Sequence, residues 1–304
     1  MSAAVLTMCG VGLSDADVGA ASAVLLRAGL APQPCTWLEA DRACDIRCAA
    51  VDLQVLDVLR AALPSKRDLC LQLLAQRSKR LFLADMDATI VNVECLDELA
   101  AECGVGAQVE QITTRAMNGT LDFAAALHAR VALLAAAGAS VDSVQRVLRE
   151  RVRLNPGART LLATLHRRGV RTVLVSGGFD VFVEPVARTL GFNEWRCNRF
   201  EVVGERICGV MAPIVGSEAK LAAFHEHCKA LSIAPTQAVA VGDGANDIPM
   251  LAAAGLGVAW RAKAAVQAVV PCRVDHGPLS TILHFLGVPR GEWQMGSSDS
   301  EVLA

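Results

Sequence analysis

From residue 81 to about residue 288, short apolar segments alternate with segments of helical character, and this alternation limits the fold more than any other feature. The clearest apolar segments are 81–84, 171–175, 238–241 and 256–259. Continuous apolar runs of this length predict strands that are buried on both faces, because a strand with one wet face would alternate apolar and polar residues. We therefore predict an α/β fold built on a doubly wound parallel sheet.

The stretch between the first two of these strands is too long for a single crossover connection. Roughly eighty residues read there almost wholly as helix, whereas one crossover helix needs only a dozen or so. A helical cap inserted at about 92–154, followed by a crossover helix at 157–168, accounts for this length.

Residues 1–75 follow a different pattern, in which strand, helix, strand, strand, helix and strand succeed one another. The predicted elements lie at 5–8, 15–28, 33–38, 45–49, 53–63 and 68–73. This is the split βαβ, ferredoxin-like order. It resembles the small ACT-type regulatory domains, which bind amino acids, and a packing or dimerisation role is the alternative.

A polar segment at 76–80 is the predicted boundary between this domain, at 1–75, and a second domain at 81–288. No candidate catalytic residue lies before Ser78, so we expect a fragment that begins there to stay soluble and active. The residues from 289 to 304 are predicted to form a flexible tail.

Charge and cysteine content limit the class of partner and the compartment. The 29 basic residues are balanced by 31 acidic ones, which leaves no excess for a surface that binds nucleic acid. The 11 cysteines are scattered without a CxxC pair, as in proteins of a reducing cytosol. Without a leader pattern or a run long enough to span a membrane, we expect a cytoplasmic protein with a small-molecule substrate.

Polar clusters follow three of the predicted strands, and ligands bind at the carboxyl ends of strands in open parallel sheets. Asp85 and Asp87 come directly after the first strand, where two nearby carboxylates repel unless a divalent cation lies between them. Ser176-Gly177-Gly178 comes after the second, where a hydroxyl beside exposed amides suits a phosphate oxygen. An acidic turn and a plain glycine turn are the alternatives.

The third cluster is the glycine-rich segment Gly242-Asp243-Gly244-Ala245-Asn246-Asp247, which follows the strand at 238–241. Two carboxylates on such a loop suit the partly hydrated coordination that Mg²⁺ prefers. Lys220, about twenty residues upstream of that strand, would supply a positive charge, although on its own it reads as a surface lysine.

The order of these motifs resembles that of the haloacid dehalogenase (HAD) phosphohydrolases, which combine DxDxT, a Ser-Gly turn, a lysine and GDGxND. Within that superfamily the chain resembles the phosphoserine phosphatases over about 200 residues. The similarity rests on 85–87, 94–99, 116–119, Phe123, 130–131, 176–179 and 242–247. One departure is Ala88, where the family usually has Ser, and we expect this change to be neutral.

The resemblance implies a HAD-like fold and a role for each matched residue. Asp85 would attack phosphorus, and Asp87 would act as general acid and then general base. Mg²⁺ would be held by the Asp85 carboxylate, the Asp87 backbone carbonyl and Asp243. The phosphate would be bound by Ser176, Gly177, Gly178, Lys220 and Asn246, with Asp247 in support.

One helix of the predicted cap carries a charge on its apolar face. From 122 to 134, Phe123, Leu127, Val131 and Leu134 form a stripe at helical spacing with Arg130 in its midst. Taken alone, such an arginine usually extends to water or pairs with a structural carboxylate. The resemblance instead assigns it to the substrate carboxylate. It also assigns Glu94 to the substrate ammonium group, and Met117 and Phe123 to the apolar lining.

The expected function is hydrolysis of O-phosphoserine to serine and phosphate, the last step of serine biosynthesis. A phosphotransferase that passes the phosphoryl group to an alcohol such as homoserine shares the motifs and stays open. Another phosphomonoester as substrate and an idle amino-acid sensor are further alternatives. We expect no nucleic-acid or membrane partner, and a homodimer stays open.

Overall fold

The computed structural model describes residues 3–63, 66–117 and 121–296 of the chain. These residues divide into two compact units, of which the first contains 3–83, 156–172 and 225–296 and the second 84–155 and 173–224. The predicted motifs at 85–89 and 176–178 therefore belong to the second unit, and the motif at 242–247 belongs to the first.

The described residues contain the strands predicted at 81–84, 171–175, 238–241 and 256–259, together with a hairpin at 194–211 that was not predicted. The strands are β1 (Ala4–Cys9), β2 (Thr36–Glu39), β3 (Ala43–Cys48), β4 (Asp68–Leu73), β5 (Leu81–Ala84), β6 (Arg171–Phe179), β7 (Glu194–Val203), β8 (Arg206–Met211), β9 (Ala238–Gly242), β10 (Leu256–Trp260) and β11 (Arg273–Val274). The helices are α1 (Asp15–Arg27), α2 (Val55–Ala62), α3 (Cys95–Glu102), α4 (Gly106–Met117), α5 (Phe123–Ala136), α6 (Val141–Glu150), α7 (Ala158–Arg167), α8 (Asp180–Leu190), α9 (Ser217–Ala230), α10 (Ile248–Ala253), α11 (Ala264–Gln267) and α12 (Thr281–Phe285).

The N-terminal part of the first unit has the split βαβ order, with strands arranged β2-β3-β1-β4 and every neighbouring pair antiparallel. Helix α1 begins at a capping box, in which the Ser14 hydroxyl and the Asp17 carboxylate each accept a backbone N–H of the other residue. Leu25, Ile46 and Leu56 are among the residues of its buried core. The likeness to ACT-type domains stays a prediction.

The rest of the first unit continues this sheet, in the order β4-β11-β10-β9-β5. Strands β9, β10 and β11 are parallel to one another, whereas β11 pairs antiparallel with β4 through Arg273 and Leu69. The Arg80 N–H donates to the Gln237 carbonyl at 2.8 Å, so β5 and β9 begin side by side.

The second unit contains the helical insertion. The residues just before the insertion pair with the residues at its end. Val91 forms a bridge with Leu154, next to hydrogen bonds from Asn92 N–H to Arg153 and from Asn155 N–H to Ile90. The helices between these points are α3 to α6. The assignment of 92–154 as an inserted cap stays a prediction.

Strands β6, β7 and β8 of the second unit correct the prediction of a purely parallel sheet. Strand β7 is parallel to β6, but β7 and β8 form an antiparallel hairpin. Val203 pairs with Arg206 across Gly204, which has a φ of +63°. A two-residue turn leaves no length for a crossover, so the second strand must return antiparallel, and the fold is α/β with a mixed sheet.

The polar segment at 76–80 has extensive contacts within the first unit. The Arg77 guanidinium forms an ion pair with Asp45, and it donates hydrogen bonds to Thr7 Oγ1 at 2.9 Å and to the carbonyls of His284 and Phe285 at 2.8 and 3.0 Å. These bonds join the N-terminal strands to α12. The domain boundary at this segment stays a prediction.

Beyond Pro289, the described residues include a 3₁₀ turn at Arg290–Glu292, and the Trp293 indole N–H donates to the Val288 carbonyl at 3.1 Å. The predicted flexible tail therefore begins with ordered contacts, and 297–304 lie outside the described residues. Across the described ranges, no helix combines the length and the apolar character that a membrane span requires.

Candidate active site

Asp85 follows β5 and lies beside a buried cation. Lys220 Nζ is 2.7 Å from Asp85 Oδ1, and the lysine side chain is completely buried. The Met86 N–H donates to the same oxygen at 2.8 Å. A buried lysine needs an anion, so this pair fixes the Asp85 carboxylate in one orientation. The reading of Lys220 as a surface residue is wrong.

Asp87 is held by the start of α3. Its Oδ1 accepts the Cys95 N–H at 3.0 Å, and its Oδ2 is 3.5 Å from Ser176 Oγ. Burial, together with the nearby charge of Glu94, raises the pKa of Asp87 to about 6. A carboxyl group with such a pKa is able to give up and take back a proton near neutral pH.

The loop that follows Asp85 and Asp87 is held in place by hydrogen bonds from a buried side chain. Ala88 has a φ of +51°, and Asn155 Nδ2 donates to the carbonyls of Thr89 and Val91 at 2.8 and 2.9 Å. Asn155 is buried and stands just after the helical insertion. Sequence analysis missed this residue, because its partners, Thr89 and Val91, are more than sixty residues away along the chain.

The Ser-Gly-Gly turn at the end of β6 packs tightly against Asp87. Ser176 Oγ accepts the Gly178 N–H at 2.8 Å. A Cβ atom at Gly178 would be 2.7 Å from Asp87 Oδ2, so a larger residue there would displace the Asp87 carboxylate. The turn is also held by Asn198, which donates from Nδ2 to the carbonyls of Gly177 and Val215 and accepts the Val215 N–H at 2.7 Å. Sequence analysis missed Asn198 too.

Arg130 lies on α5 among carboxylates of the helical insertion. Its Nε is buried and has no hydrogen-bond partner in the described part of the chain. Burial lowers the pKa of the Arg130 guanidinium, and the charges of Asp97, Glu94 and Asp87 oppose this effect. A half-buried guanidinium with a buried and unused donor is the kind of group that binds a carboxylate of a ligand.

Phe123 is exposed, unlike the other residues of the apolar stripe that the sequence predicts on this helix. Leu127, Val131 and Leu134 are buried, but Phe123 is 38% exposed at the first position of α5. Cβ atoms built at Gly177 and Gly216 would lie 3.4 and 3.1 Å from its ring. Phe123 therefore lies against Gly177 and Gly216, and only the other three side chains belong to the core.

Two further predicted residues lie at helix ends. Glu94 is the exposed N-cap of α3, next to Cys95, whose thiol pKa is raised by burial. Met117 is the last residue of α4, and its side chain lies outside what the structure describes.

The glycine-rich segment after β9 forms a compact acidic loop in the first unit. The Gly244 N–H donates to Asp247 Oδ2 at 3.1 Å, and a Cβ atom at Gly242 would be 2.5 Å from Asp247 Cγ. Lys263 Nζ is 3.7 Å from Asp243 Oδ2, and its N–H donates to the Asp243 carbonyl. Asn246 is partly buried in the same loop. Sequence analysis did not single out Lys263.

The acidic residues of the predicted motifs supply the donors that a hard divalent cation takes. Asp85, Asp243 and Asp247 all have buried carboxylates. Buried carboxylate oxygens favour cations such as Mg²⁺ over soft metals, so the residues present fit a divalent metal ion.

Comparison with known proteins agrees with these features. Residues 79–255 match the family of haloacid dehalogenase-like hydrolases. Phosphoserine phosphatase SerB2 of Mycobacterium tuberculosis is 46% identical over 72% of this chain and 53% of its own length, so the chain spans about half of that relative. The phosphoserine phosphatase of a Polaromonas species is 40% identical over 68% of this chain and 89% of its own length.

A solved structure of a phosphoserine phosphatase, described as an analogue of its phospho-aspartyl intermediate, superposes with a TM-score of 0.63. It is 35% identical and covers 68% of this chain and 99% of its own. The predicted HAD-like α/β fold is thereby confirmed, with the mixed sheet described above. The chain belongs to the haloacid dehalogenase-like hydrolases and, within them, to the phosphoserine phosphatase family.

Proposed function

We propose that the chain hydrolyses O-phosphoserine to serine and phosphate through a phosphorylated Asp85, as the last step of serine biosynthesis. The observation that carries this proposal is the buried contact of 2.7 Å between Lys220 Nζ and Asp85 Oδ1. A cation there neutralises charge next to the nucleophile, as attack on a phosphate dianion requires. Family membership supports the same assignment.

Asp87 is the proposed general acid and base. Protonated, it gives its proton to the serine oxygen as the bond to phosphorus breaks. Deprotonated, it then takes a proton from the water that attacks the aspartyl phosphate. A pKa near 6 supports both roles, because the protonated and the deprotonated form of Asp87 are then both accessible near neutral pH.

Ser176, the amides of Gly177 and Gly178, and Lys220 are proposed to bind the phosphate oxygens, with Asn246 and Asp247 in support. Mg²⁺ would be held by the Asp85 carboxylate, the Asp87 backbone carbonyl and Asp243. When bound, it offsets the repulsion between the nucleophile and the phosphate dianion.

Specificity for phosphoserine is proposed to come from Arg130, Glu94, Met117 and Phe123. The buried and unused Nε of Arg130 supports a role in binding the substrate carboxylate. Glu94, close enough to affect the pKa of Asp87, suits the substrate ammonium group. One acid and one base at these positions fit a zwitterion better than a sugar phosphate.

A panel of phosphomonoesters, assayed for phosphate release with and without Mg²⁺, tests the function directly. We expect the highest kcat/KM with O-phosphoserine and loss of turnover after chelation, with recovery when Mg²⁺ is restored. A preference for a non-zwitterionic ester, or transfer to an added alcohol in place of release, would contradict the proposal.

We also propose that the N-terminal segment is an ACT-like module and that the protein is cytoplasmic. The strand order β2-β3-β1-β4 supports an ACT-like module, with dimerisation as a further role. All 11 cysteines are free of disulfides, which supports a cytoplasmic location.

A further inference from the structure

Two cysteines of the first unit lie opposite each other on neighbouring strands. Cys70 belongs to β4, and Cys272 comes directly before β11. These strands are antiparallel and pair Arg273 with Leu69, so the next pair along the ladder is Cys272 with Cys70. Cys272 Sγ is also 4.0 Å from the carbonyl oxygen of Leu71, which places this thiol beside β4. Neither cysteine belongs to the motifs of the HAD family.

The backbone hydrogen bonds identify the kind of pair that the two cysteines form. The carbonyl groups on either side of Arg273 accept N–H groups of Ala259 and Arg261, at 3.0 and 2.9 Å, and so face β10. Because carbonyl groups alternate in direction along a strand, those of Arg273 face β4, and Cys272 and Cys70 are a pair without mutual hydrogen bonds. The Cα atoms of such a pair lie roughly 4.5 Å apart, within the range of about 4.4 to 6.8 Å that a disulfide spans.

A buried cation lies close to both thiols. Lys79 is 7% exposed, and its Nζ donates to the Thr236 carbonyl at 2.8 Å. Among the described residues, no carboxylate forms an ion pair with it. The hydrogen bond from Cys70 lowers the pKa of the Cys272 thiol, and the charge of Lys79 acts in the same direction. Cys272 is therefore the thiol of the pair that more readily becomes a thiolate, the form that reacts with oxidants.

A cavity gives small molecules a route to Cys272. It has a volume of about 400 Å³, lies within the first unit, and is lined by Cys272 together with Leu71, Gly257 and Val270. Cys70 is completely buried and Cys272 is 4% exposed, so a large disulfide such as oxidised glutathione does not fit the site. A small peroxide is the class of oxidant that this cavity admits.

We propose that Cys70 and Cys272 are a modification site, at which a small peroxide converts the two thiols into a reversible disulfide. The Cys272 thiolate attacks one peroxide oxygen, the O–O bond breaks, and the departing oxygen takes up protons and leaves as water. The Cys70 sulfur then attacks the sulfenic acid on Cys272, the S–O bond breaks, and a second water leaves. Two thiols thus lose two electrons and two protons, and the peroxide is reduced to two waters. The new bond joins β4 covalently to β11.

The test is mass spectrometry of the intact protein after treatment with hydrogen peroxide. Remaining thiols are alkylated before digestion with trypsin, which releases residues 68–77 with Cys70 as their only cysteine and residues 264–273 with Cys272 as theirs. The unfolding temperature is measured on the same samples, before and after dithiothreitol. Cys272→Ser removes the proposed bond, and Cys208→Ser, at an exposed cysteine, is the control that loses one thiol elsewhere.

We expect the two peptides to be linked in the parent and in Cys208→Ser, and separated by dithiothreitol. The bond should raise the unfolding temperature by about 5 °C, because it closes a long loop of the unfolded chain. The proposal fails if no link between these peptides is found, or if it forms only in urea. It also fails if Cys70 is linked instead to Cys9, which lies on β1 opposite Asp68. An equal rise in the unfolding temperature of Cys272→Ser would likewise contradict it, since another oxidation would then be the cause.

Discussion

At the scale of single residues, the buried pair of Lys220 and Asp85 governs what a substitution at the nucleophile does. Asparagine keeps an oxygen that can accept hydrogen bonds from Met86 and Lys220. We therefore expect Asp85→Asn to fold with reduced stability, since buried Lys220 loses this anion, and to lose turnover by at least about a thousandfold because an amide does not attack phosphorus. Phosphate release and circular dichroism check this. Substantial residual turnover, or failure of beryllofluoride to bind the parent enzyme, would count against the covalent route.

Asp87 gives a different prediction, because its proposed task is proton transfer. Asp87→Asn should lose more kcat with O-phosphoserine than with an aryl phosphate, whose leaving group departs without a proton. Comparison of kcat for the two substrates, in parent and variant, measures the difference. Equal losses would mean that Asp87 acts mainly through its backbone carbonyl or the geometry of the loop.

Arg130 is the residue on which substrate choice is expected to depend. Arg130→Ala would leave the substrate carboxylate without its partner, at a cost of about 3 kcal/mol, or roughly a hundredfold in kcat/KM for O-phosphoserine. Lysine should restore only part of this, because it lacks the planar fork. The exposed Arg149→Ala, on α6 of the same insertion, is the matched control. If an aryl phosphate loses as much as phosphoserine, Arg130 serves the fold of the insertion.

At the scale of elements, the position of the Ser-Gly-Gly turn depends on one side chain from the neighbouring strand β7. Asn198 is 1% exposed and bonds three backbone groups, so Asn198→Ala would leave buried N–H and C=O groups unpaired. We expect a loss of at least about 2 kcal/mol in the free energy of unfolding and a lower kcat. Urea denaturation and phosphate release measure the two effects. An unchanged midpoint of denaturation would show that water replaces the side chain at no cost.

A strand could be predicted from the sequence when it has a continuous run of apolar residues, and was missed when it has none. Strands β5, β9 and β10 are buried, so their apolar runs mark them clearly, and the motifs at their ends follow. The β7–β8 hairpin alternates buried and exposed residues and carries charges, so no continuous apolar run marks it. Asn155, Asn198 and Lys263 were missed for another reason: their partners are distant backbone or side-chain groups that only the folded chain brings near.

At the scale of the whole molecule, the contacts of the N-terminal segment lead us to revise the expectation that a fragment beginning at Ser78 stays folded and active. Asp68 accepts three N–H groups of 275–277, Gln72 donates to the Phe285 carbonyl at 2.7 Å, and Arg77 bonds the same region. A fragment that begins at Ser78 loses all of these partners. We now expect it to unfold well below the parent in temperature and to lose activity as it unfolds, and calorimetry with activity assays checks this. Equal unfolding temperatures would restore the view, drawn from sequence, of an independent domain.

The pairing of β4 with β11 has a consequence for solubility as well as for stability. Strand β11 has only two residues, and β4 covers the side of it that faces away from β10. An uncovered strand presents free N–H and C=O groups, which are a template for pairing with another molecule. The N-terminal segment thus covers this strand edge, and we expect partial unfolding that separates β4 from β11 to expose a template for aggregation.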